Sequence, residues 1–299
     1  MSTTPELSPR TYYRKSPDGR FNIALLGMSY SQWRDPYHLL LTVSWSKFFT
    51  LIGLLYLLSN AIFACAYLLG GNCIEHARSG SFLDAFFFSV QTMATIGYGN
   101  LAPRTLYAHG LVTIEALVGL LGISMATGLM FSRFSRPTAK VLFSRIAVIA
   151  PHEGLPTLMF RAANVRPNQI LEAQIRMHLL KDEITAEGRH IRRICDLKLL
   201  RSRTPAFSFS WQVMHPIDEN SPLFGETLES LADGEATILI TLTGIDETVS
   251  QTVHARHSFN ASQLLWNMHF VDIISVTPQG QRVMDYTRFH EVVPLQEMN

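Results

Sequence analysis

The most informative chemistry in this sequence lies in one run of five residues, Thr95-Ile96-Gly97-Tyr98-Gly99. Its two glycines permit backbone angles that other residues resist, so successive carbonyl groups can point to one side together with the Thr95 hydroxyl. When four such strands surround one axis, their oxygens stack into rings that replace the hydration shell of a potassium ion. The run therefore predicts a selectivity filter in which K⁺ is coordinated by Thr95, Ile96, Gly97 and Tyr98, with Gly99 completing the strand.

A short apolar segment, Phe82 to Met93, comes directly before this run. It is too short to cross a bilayer and suits a buried or re-entrant helix, with Ser81 as its N-cap and Asp84 complementing the helix dipole. A helix that stops inside a membrane must be followed by backbone that is buried in protein or faces water. The alternative is a glycine turn in an ordinary extracellular loop.

Two longer apolar segments flank this region. Phe48 to Leu69 contains no charged residue, and at about 1.5 Å per residue it reaches roughly 33 Å, enough for a hydrocarbon core of about 30 Å. Leu106 to Phe131 is interrupted only by His109 and Glu115. These lengths favour two membrane spans over a pair of buried core helices.

The basic residues predict the orientation of the spans. Lys and Arg are abundant before the first span and after the second, whereas only Arg78 and Arg104 lie between them. The positive-inside rule therefore puts both termini in the cytoplasm. No further helix carries periodic arginines, so a voltage sensor is not expected.

Composition excludes several other classes of protein. Of 299 residues, 47% are hydrophobic and 16% charged, with a net charge of +1, which argues against disorder and against a nucleic-acid partner. Cys65, Cys73 and Cys195 are too scattered for a disulfide framework. His254 and His257 lack the companion ligands of a zinc site, and no P-loop or nucleophile elbow is present. We therefore expect that the protein is not an enzyme and has no resident cofactor. The expected ligand is the permeant potassium ion.

The C-terminal half shows the alternation of β-strands. Apolar and polar residues alternate from Ala173 to Leu179, and Phe207, Phe209, Trp211 and Val213 alternate with polar neighbours. Thr237 to Thr243 is a further β-rich run. With turn signals between these segments, the pattern predicts an antiparallel sandwich.

Taken together, the sequence resembles the inward-rectifier potassium channels, and most closely their prokaryotic branch, the KirBac channels. The resemblance runs from about Trp33 to Glu291. Beside the filter, it is carried by four blocks of the C-terminal half, Met159 to Arg176, Val213 to Thr227, Thr252 to Phe259 and Leu264 to Phe270.

This resemblance implies an α+β membrane protein that forms a homotetramer. Two transmembrane helices with a re-entrant pore helix and filter would be followed by a cytoplasmic immunoglobulin-like β-sandwich. The expected regions are a cytoplasmic N-terminus, residues 1–47, with an amphipathic slide helix at about 31–43; a pore domain, residues 48–137; and the sandwich, residues 138–299. A bacterial inner membrane is the expected location.

The resemblance also implies roles for particular residues. Ile123 and Phe131 match the apolar inner gate, which blocks ions by dewetting. Because Ile123 stands where some eukaryotic relatives have an acid, strong block by polyamines is not expected from that position. Ser250 to Val253 matches a cytoplasmic constriction.

Glu115 is the sole acid in either span, and a carboxylate inside a membrane segment suggests a functional role. Its side chain either faces the cavity or forms a structural hydrogen bond that supports the filter, and we favour the second.

Basic residues at the inner ends of the spans suggest a lipid partner. Lys47, Arg133, Arg136 and Lys140 can hold anionic headgroups, and the resemblance implies sensitivity to phosphoinositides, typically inhibition in the prokaryotic branch. Plain positive-inside topology explains the same charges equally well. A different class of function also stays open, a non-conducting β-sandwich that is anchored in the membrane and serves as a binding or sensor module.

Overall fold

The structure, a computed structural model, describes residues 35–295 and the backbone of two short strands before them. Beyond residue 34 the chain forms two compact units, residues 35–136 and residues 137–295. Positions 31–34 of the expected slide helix lie outside the described residues.

The first unit is built from four α-helices. They are α1 (Pro36–Thr42), α2 (Trp45–Leu69), α3 (Phe82–Met93) and α4 (Leu106–Phe134). Of these, α2 and α4 are long and apolar enough to cross a membrane. The bounds of α3 are those that the sequence predicts, because its signals are local: a capping serine followed by one short apolar run.

Local chemistry explains where the other helices begin and end. Asp35 caps α1 by accepting a hydrogen bond from the His38 N–H at 3.0 Å, and Pro36 occupies its first turn, where a missing N–H costs nothing. α4 runs three residues beyond the predicted span, since Arg133 in its last turn complements the helix dipole. Pro137 follows shortly after and disfavours further helix.

Most β-strands belong to the second unit. In chain order the strands are β1 (Tyr12–Lys15), β2 (Asn22–Leu25), β3 (Ile74–Glu75), β4 (Ala102–Pro103), β5 (Val141–Phe143), β6 (Ala147–His152), β7 (Leu155–Asn164), β8 (Ile170–Ile184), β9 (His190–Leu197), β10 (Arg203–Phe207), β11 (Ser210–Pro216), β12 (Thr237–Asp246), β13 (Gln251–Asn260), β14 (Leu264–Trp266), β15 (Met268–Phe270), β16 (Ile274–Val276), β17 (Arg282–Met284) and β18 (Val292–Pro294). A short helix, α5 (Leu228–Asp233), precedes β12.

Two five-stranded sheets face each other in this unit. One has the order β10-β8-β12-β13 with β9 also paired to β8, and the other has the order β11-β7-β6-β14 with β5 paired to β7. All of these pairs are antiparallel except β14 with β6. The arrangement is the β-sandwich that the alternating pattern predicts.

The core between the sheets follows that alternation, with one correction. Ala173, Ile175 and Met177 all lie on the buried face of β8. The expected alternation through Phe209 is wrong, because β10 ends at Phe207 and β11 begins at Ser210. Phe207 is therefore buried, whereas Phe209, in the break between the strands, is 67% exposed.

Candidate ion-conducting site

The pore helix α3 is held at its N-terminus by a bidentate ion pair. The Arg78 guanidinium donates to both carboxylate oxygens of Asp84, from Nη2 at 2.8 Å and from Nε at 3.0 Å. Ser81 caps the first turn, because its hydroxyl accepts a hydrogen bond from the Asp84 N–H at 3.2 Å. Strands β3 and β4 pair across the base of the loop that contains α3 and the filter run. These contacts fix where α3 starts and the direction in which it points.

The filter run leaves the end of α3 through hydrogen bonds to the last turn. The Ile96 N–H donates to the Gln91 carbonyl at 2.8 Å, and the Thr95 N–H donates to the Thr92 carbonyl at 3.0 Å. Two N–H groups of this run are thus used to cap the helix. Within the described part of the chain, no hydrogen bond is made to the carbonyl oxygens of residues 95–98, so these oxygens are available to an ion.

The sign of the backbone angle φ alternates along residues 95–99. Thr95, Gly97 and Gly99 have φ of +55°, +59° and +80°, whereas Ile96 and Tyr98 do not have positive φ. Residues that alternate between left- and right-handed conformations present successive carbonyls on one side, whereas the side chains and carbonyls of a regular strand alternate between two sides. The sequence predicts this geometry for the glycines; the positive φ of Thr95, a β-branched residue, has no local signal and is a strained conformation.

Glu115, in α4, joins this helix to α2 and α3. Its carboxylate accepts from the Tyr67 hydroxyl of α2 at 2.6 Å and from the Ser89 hydroxyl of α3. Ser89 Oγ also lies 3.0 Å from Asn60 Oδ1, and Asn60 Nδ2 donates to the Tyr56 carbonyl at 2.8 Å. Glu115, Ser89 and Asn60 are all fully buried. Sequence reasoning missed Tyr67, Ser89 and Asn60, although a polar residue in an apolar span is a signal for such a network.

Replacing Glu115 with leucine is expected to destabilise the protein by about 2–6 kcal/mol per chain, because two buried hydroxyl donors lose their acceptor. Glu115→Gln is expected to cost less, since its carbonyl oxygen still accepts one hydrogen bond. The midpoint of thermal unfolding, followed by tryptophan fluorescence in detergent, measures both.

Thr113→Val is the matched control for these variants. The Thr113 hydroxyl is exposed and donates only to the His109 carbonyl of its own helix, at 2.9 Å. If Glu115→Leu unfolded at the same temperature as Thr113→Val, the network would not stabilise this unit.

One glycine sets the distance between α4 and the end of α3. A Cβ added to Gly119 would lie 2.5 Å from the Met93 carbonyl oxygen and 2.9 Å from Met93 Cγ, closer than real Cβ contacts allow. Met93 is the last residue of α3, two positions before Thr95. The same addition at Gly122 or Gly128 meets nothing within 4 Å. Of these three glycines, only Gly119 is required for close packing within one chain.

The aromatic side chains of α3 behave differently from one another. Phe88 is buried and packs edge-on against Tyr67, with ring centroids 5.0 Å apart. Phe86 instead stacks against Phe82, and Phe87 is 54% exposed. Of these three aromatic side chains, only Phe88 is buried.

The expected gate residues lie on exposed parts of α4. Ile123 is 56% exposed and Phe131 is 71% exposed in the single chain. Their separation of eight residues corresponds to roughly 12 Å along the helix axis. Both positions can therefore contact another copy of the chain, lipid or an aqueous cavity.

Arg133 differs from the other basic residues that flank the spans. Its guanidinium donates to the Leu40 and Val43 carbonyls at the end of α1, at 2.6 and 2.5 Å. It also lies 4.5 Å from the ring centroids of both Trp45 and Phe48. By contrast, Lys47, Arg136 and Lys140 are exposed. Sequence reasoning gave all four residues one role, but the donors of Arg133 are directed to its own chain.

Comparison with known proteins matches both units of the chain. A family model described as "Ion channel" matches residues 45–136, and one described as "Inward rectifier potassium channel C-terminal domain" matches residues 141–299. The chain is 53% identical to "Inward rectifier potassium channel Kirbac3.1" of Paramagnetospirillum magnetotacticum, over 92% of this chain and 94% of that protein.

Human relatives are more distant and longer. "Inward rectifier potassium channel 18" is 33% identical over 70% of this chain and 50% of its own length. "Inward rectifier potassium channel 4" is 34% identical over 73% of this chain and 51% of its own length. The chain thus spans about half the length of these human proteins.

Proposed function

Because this chain belongs to the inward-rectifier potassium channel family and is a two-span membrane channel, we propose that four copies surround one axis and conduct K⁺ through the residue 95–99 filter. The observation that carries this proposal is the alternating backbone of the run, with positive φ at Thr95, Gly97 and Gly99. That geometry offers carbonyl oxygens on one side, as coordination of a dehydrated ion requires.

The need for four copies follows from the chemistry of a single strand. One chain supplies one column of oxygens, whereas replacing a hydration shell takes rings of them. Residues 95–100 are all exposed in the single chain, including the apolar side chains of Ile96 and Tyr98. Cyclic assembly would cover these side chains and close the rings, which supports a homotetramer as the conducting unit.

The inner half of the pathway is proposed to be gated on α4. Four copies of Ile123 and of Phe131 would form two apolar rings, and a ring of that kind excludes ions by dewetting. Glu115 is proposed to support the filter from behind, through its hydrogen bonds to α2 and α3. Its carboxylate is fully buried within one chain, which argues against a role in the water-filled cavity.

We propose that anionic lipid headgroups bind the exposed cations Lys47, Arg136 and Lys140 at the inner leaflet. Arg133 contributes less to this site, since its guanidinium is bonded to the end of α1. If these cations lie at the inner leaflet, residues 1–47 and 138–299 lie in the cytoplasm, and a bacterial inner membrane is the expected location.

Uptake of rubidium into liposomes that contain the purified protein tests the proposed function. Uptake that is opposed by potassium and barium, but little by sodium, is the expected result. Parallel liposomes with and without anionic lipid separate an inhibited channel from a silent one. A tetramer that carried no flux in any lipid would overturn the proposal and favour the non-conducting binding module.

Replacing Phe131 with asparagine is expected to raise rubidium uptake several-fold, because a polar ring keeps water, and therefore ions, in the constriction. Phe131→Leu keeps the ring apolar and serves as the matched control. Equal uptake by the two variants would show that Phe131 does not form the gate.

A further inference from the structure

One histidine holds the chain just beyond the filter run, in the segment that joins the two spans. His76 Nδ1 lies 2.9 Å from the Asn100 carbonyl oxygen, and Asn100 directly follows Gly99. A carbonyl oxygen only accepts hydrogen bonds, so Nδ1 carries the hydrogen and donates it. In the neutral ring, Nε2 is therefore the nitrogen that can take up a proton. His76 and Asn100 are both exposed in the single chain.

The backbone at position 76 restricts which residues can make this bond. β3 ends at Glu75, and His76 has a φ of +61°. Apart from glycine, the residues that are enriched at such angles are asparagine, aspartate and histidine. An asparagine at position 76 would therefore fit the same backbone and would still offer an N–H donor.

The bond from His76 extends the pairing of β3 with β4 towards the filter. In that pair Glu75 lies opposite Ala102. The next residue, His76, bonds to Asn100, which is closer to the filter. Of these two contacts, only the His76 bond holds the residue next to Gly99, since β4 begins three residues beyond Gly99. It therefore fixes the point at which the chain leaves the outermost part of the filter.

The charges around His76 cancel one another. The charged and titratable groups on the surrounding elements (β3, the start of α3, the filter run and the end of β4) are Glu75, Arg78, Asp84, Tyr98 and Arg104. Two of them are acidic and two are basic, and Arg78 and Asp84 form an ion pair of 2.8 Å. A tyrosine is uncharged near neutral pH. A proton on His76 would therefore add a positive charge that these groups do not offset.

From these contacts we propose that His76 is a positioning residue for the filter and its sensor of outer protons. The Nδ1–H holds the Asn100 carbonyl whether the ring is neutral or charged, because the added proton goes to Nε2. Histidine is the side chain that ordinarily changes its charge between pH 5 and 8. In a tetramer, protonation would place four positive charges near the outer mouth, where they repel entering potassium ions. The inference rests on the proposed tetrameric filter, and it concerns the entrance of that filter rather than the gate on α4.

The pH dependence of rubidium uptake into liposomes tests the role of the charge. Uptake by wild type is expected to fall by about threefold or more when the pH on both sides is lowered from 8 to 5.5. His76→Asn keeps a donor for Asn100 but cannot become charged. Its uptake is expected to equal that of wild type at pH 8 and to lose the fall that wild type shows at pH 5.5.

His76→Ala tests the role of the hydrogen bond. It removes the donor, so its uptake is expected to lie about threefold or more below that of wild type at pH 8, with sodium competing more strongly. Rescue by His76→Asn, but not by His76→Ala, would assign the effect to the bond with Asn100. Tetramer content in detergent is checked for each variant. If His76→Ala did not assemble, the comparison of wild type with His76→Asn across pH would decide alone.

His109→Asn is the matched control for the charge. Residues 45–134 contain two histidines, His76 and His109, and His109 is exposed in the first turn of α4. Its N–H donates to the Thr105 carbonyl at 3.0 Å, within its own helix end. His109→Asn is expected to keep both the uptake and the pH dependence of wild type. If it removed the pH dependence as fully as His76→Asn, the assignment of the sensor to His76 would be wrong.

Failure of this inference can be told from failure of the proposed filter. A selective wild-type channel whose pH dependence matched that of His76→Asn would overturn the proton sensor, and an assembled His76→Ala tetramer with wild-type uptake would overturn the positioning role. A wild-type tetramer without selective uptake at pH 8 would instead overturn the filter, and this inference with it.

Discussion

Replacing Gly97 with alanine is expected to abolish potassium-selective uptake of rubidium. Gly97 has a φ of +59°, a left-handed conformation that costs an L-residue with a side chain roughly 1–2 kcal/mol. A fourfold filter would incur that cost four times at one ring. The alternation of φ along residues 95–99 would then be lost. Because the carbonyl groups point to one side only when φ alternates, they would no longer share one direction.

The cause of this loss within one chain is torsional and not steric. A Cβ built on Gly97 meets nothing within 4 Å in its own chain. The penalty therefore comes from the backbone conformation, and any crowding would come from neighbouring copies.

Gly110→Ala is the matched control for this prediction. Gly110 lies in α4, its added Cβ also meets nothing within 4 Å, and its φ is not positive. Uptake competition by sodium and potassium is to be compared for both variants, with tetramer content checked in detergent. If Gly97→Ala still conducted rubidium and excluded sodium as wild type does, the residue 95–99 run would not be the filter.

Features with local causes could be predicted from the sequence. The bounds of α3 follow from Ser81 and one short apolar run, and the two spans follow from length and hydropathy. The core face of β8 follows from alternation with period two. Each of these signals lies within the element that it describes, so no knowledge of the fold was needed to use it.

Features that depend on the choice of a distant partner could not be predicted. Glu115 was recognised as unusual, but its donors Tyr67 and Ser89 lie 48 and 26 residues away. Arg133 finds its acceptors, the Leu40 and Val43 carbonyls, at the end of α1, about 90 residues earlier in the chain. A count of charges near the membrane cannot distinguish such an internally bonded arginine from Lys47, whose side chain is exposed.

The backbone of Thr95 and the exposure of Phe209 show a second limit. Thr95 is β-branched, and its positive φ opposes its intrinsic preference, so only the surrounding structure can impose it. Phe209 belongs to an alternating pattern, yet it lies between two strands rather than within one. In both cases tertiary context overrides the local tendency of the sequence.

Replacing Gly119 with alanine is expected to reduce potassium flux strongly, because the new methyl group would lie 2.5 Å from the Met93 carbonyl oxygen. That neighbour is backbone, so either α4 or the end of α3 must move. Overpacking of this kind typically costs about 1–3 kcal/mol, here once in every chain. Since Met93 precedes Thr95 by two residues, the displacement reaches the first ring of filter oxygens. Rubidium uptake and its competition by sodium measure the effect.

Gly122→Ala separates this packing effect from a general loss of helix flexibility. Gly122 lies on the same helix three residues later, and an added Cβ there meets nothing within 4 Å of its own chain. Both substitutions replace glycine by a better helix former and so stiffen α4 equally. If the two variants lost flux to the same extent, bending of α4 would be the relevant property. Loss of flux confined to Gly119→Ala would show that close contact between α4 and the end of α3 holds the filter in its conducting geometry.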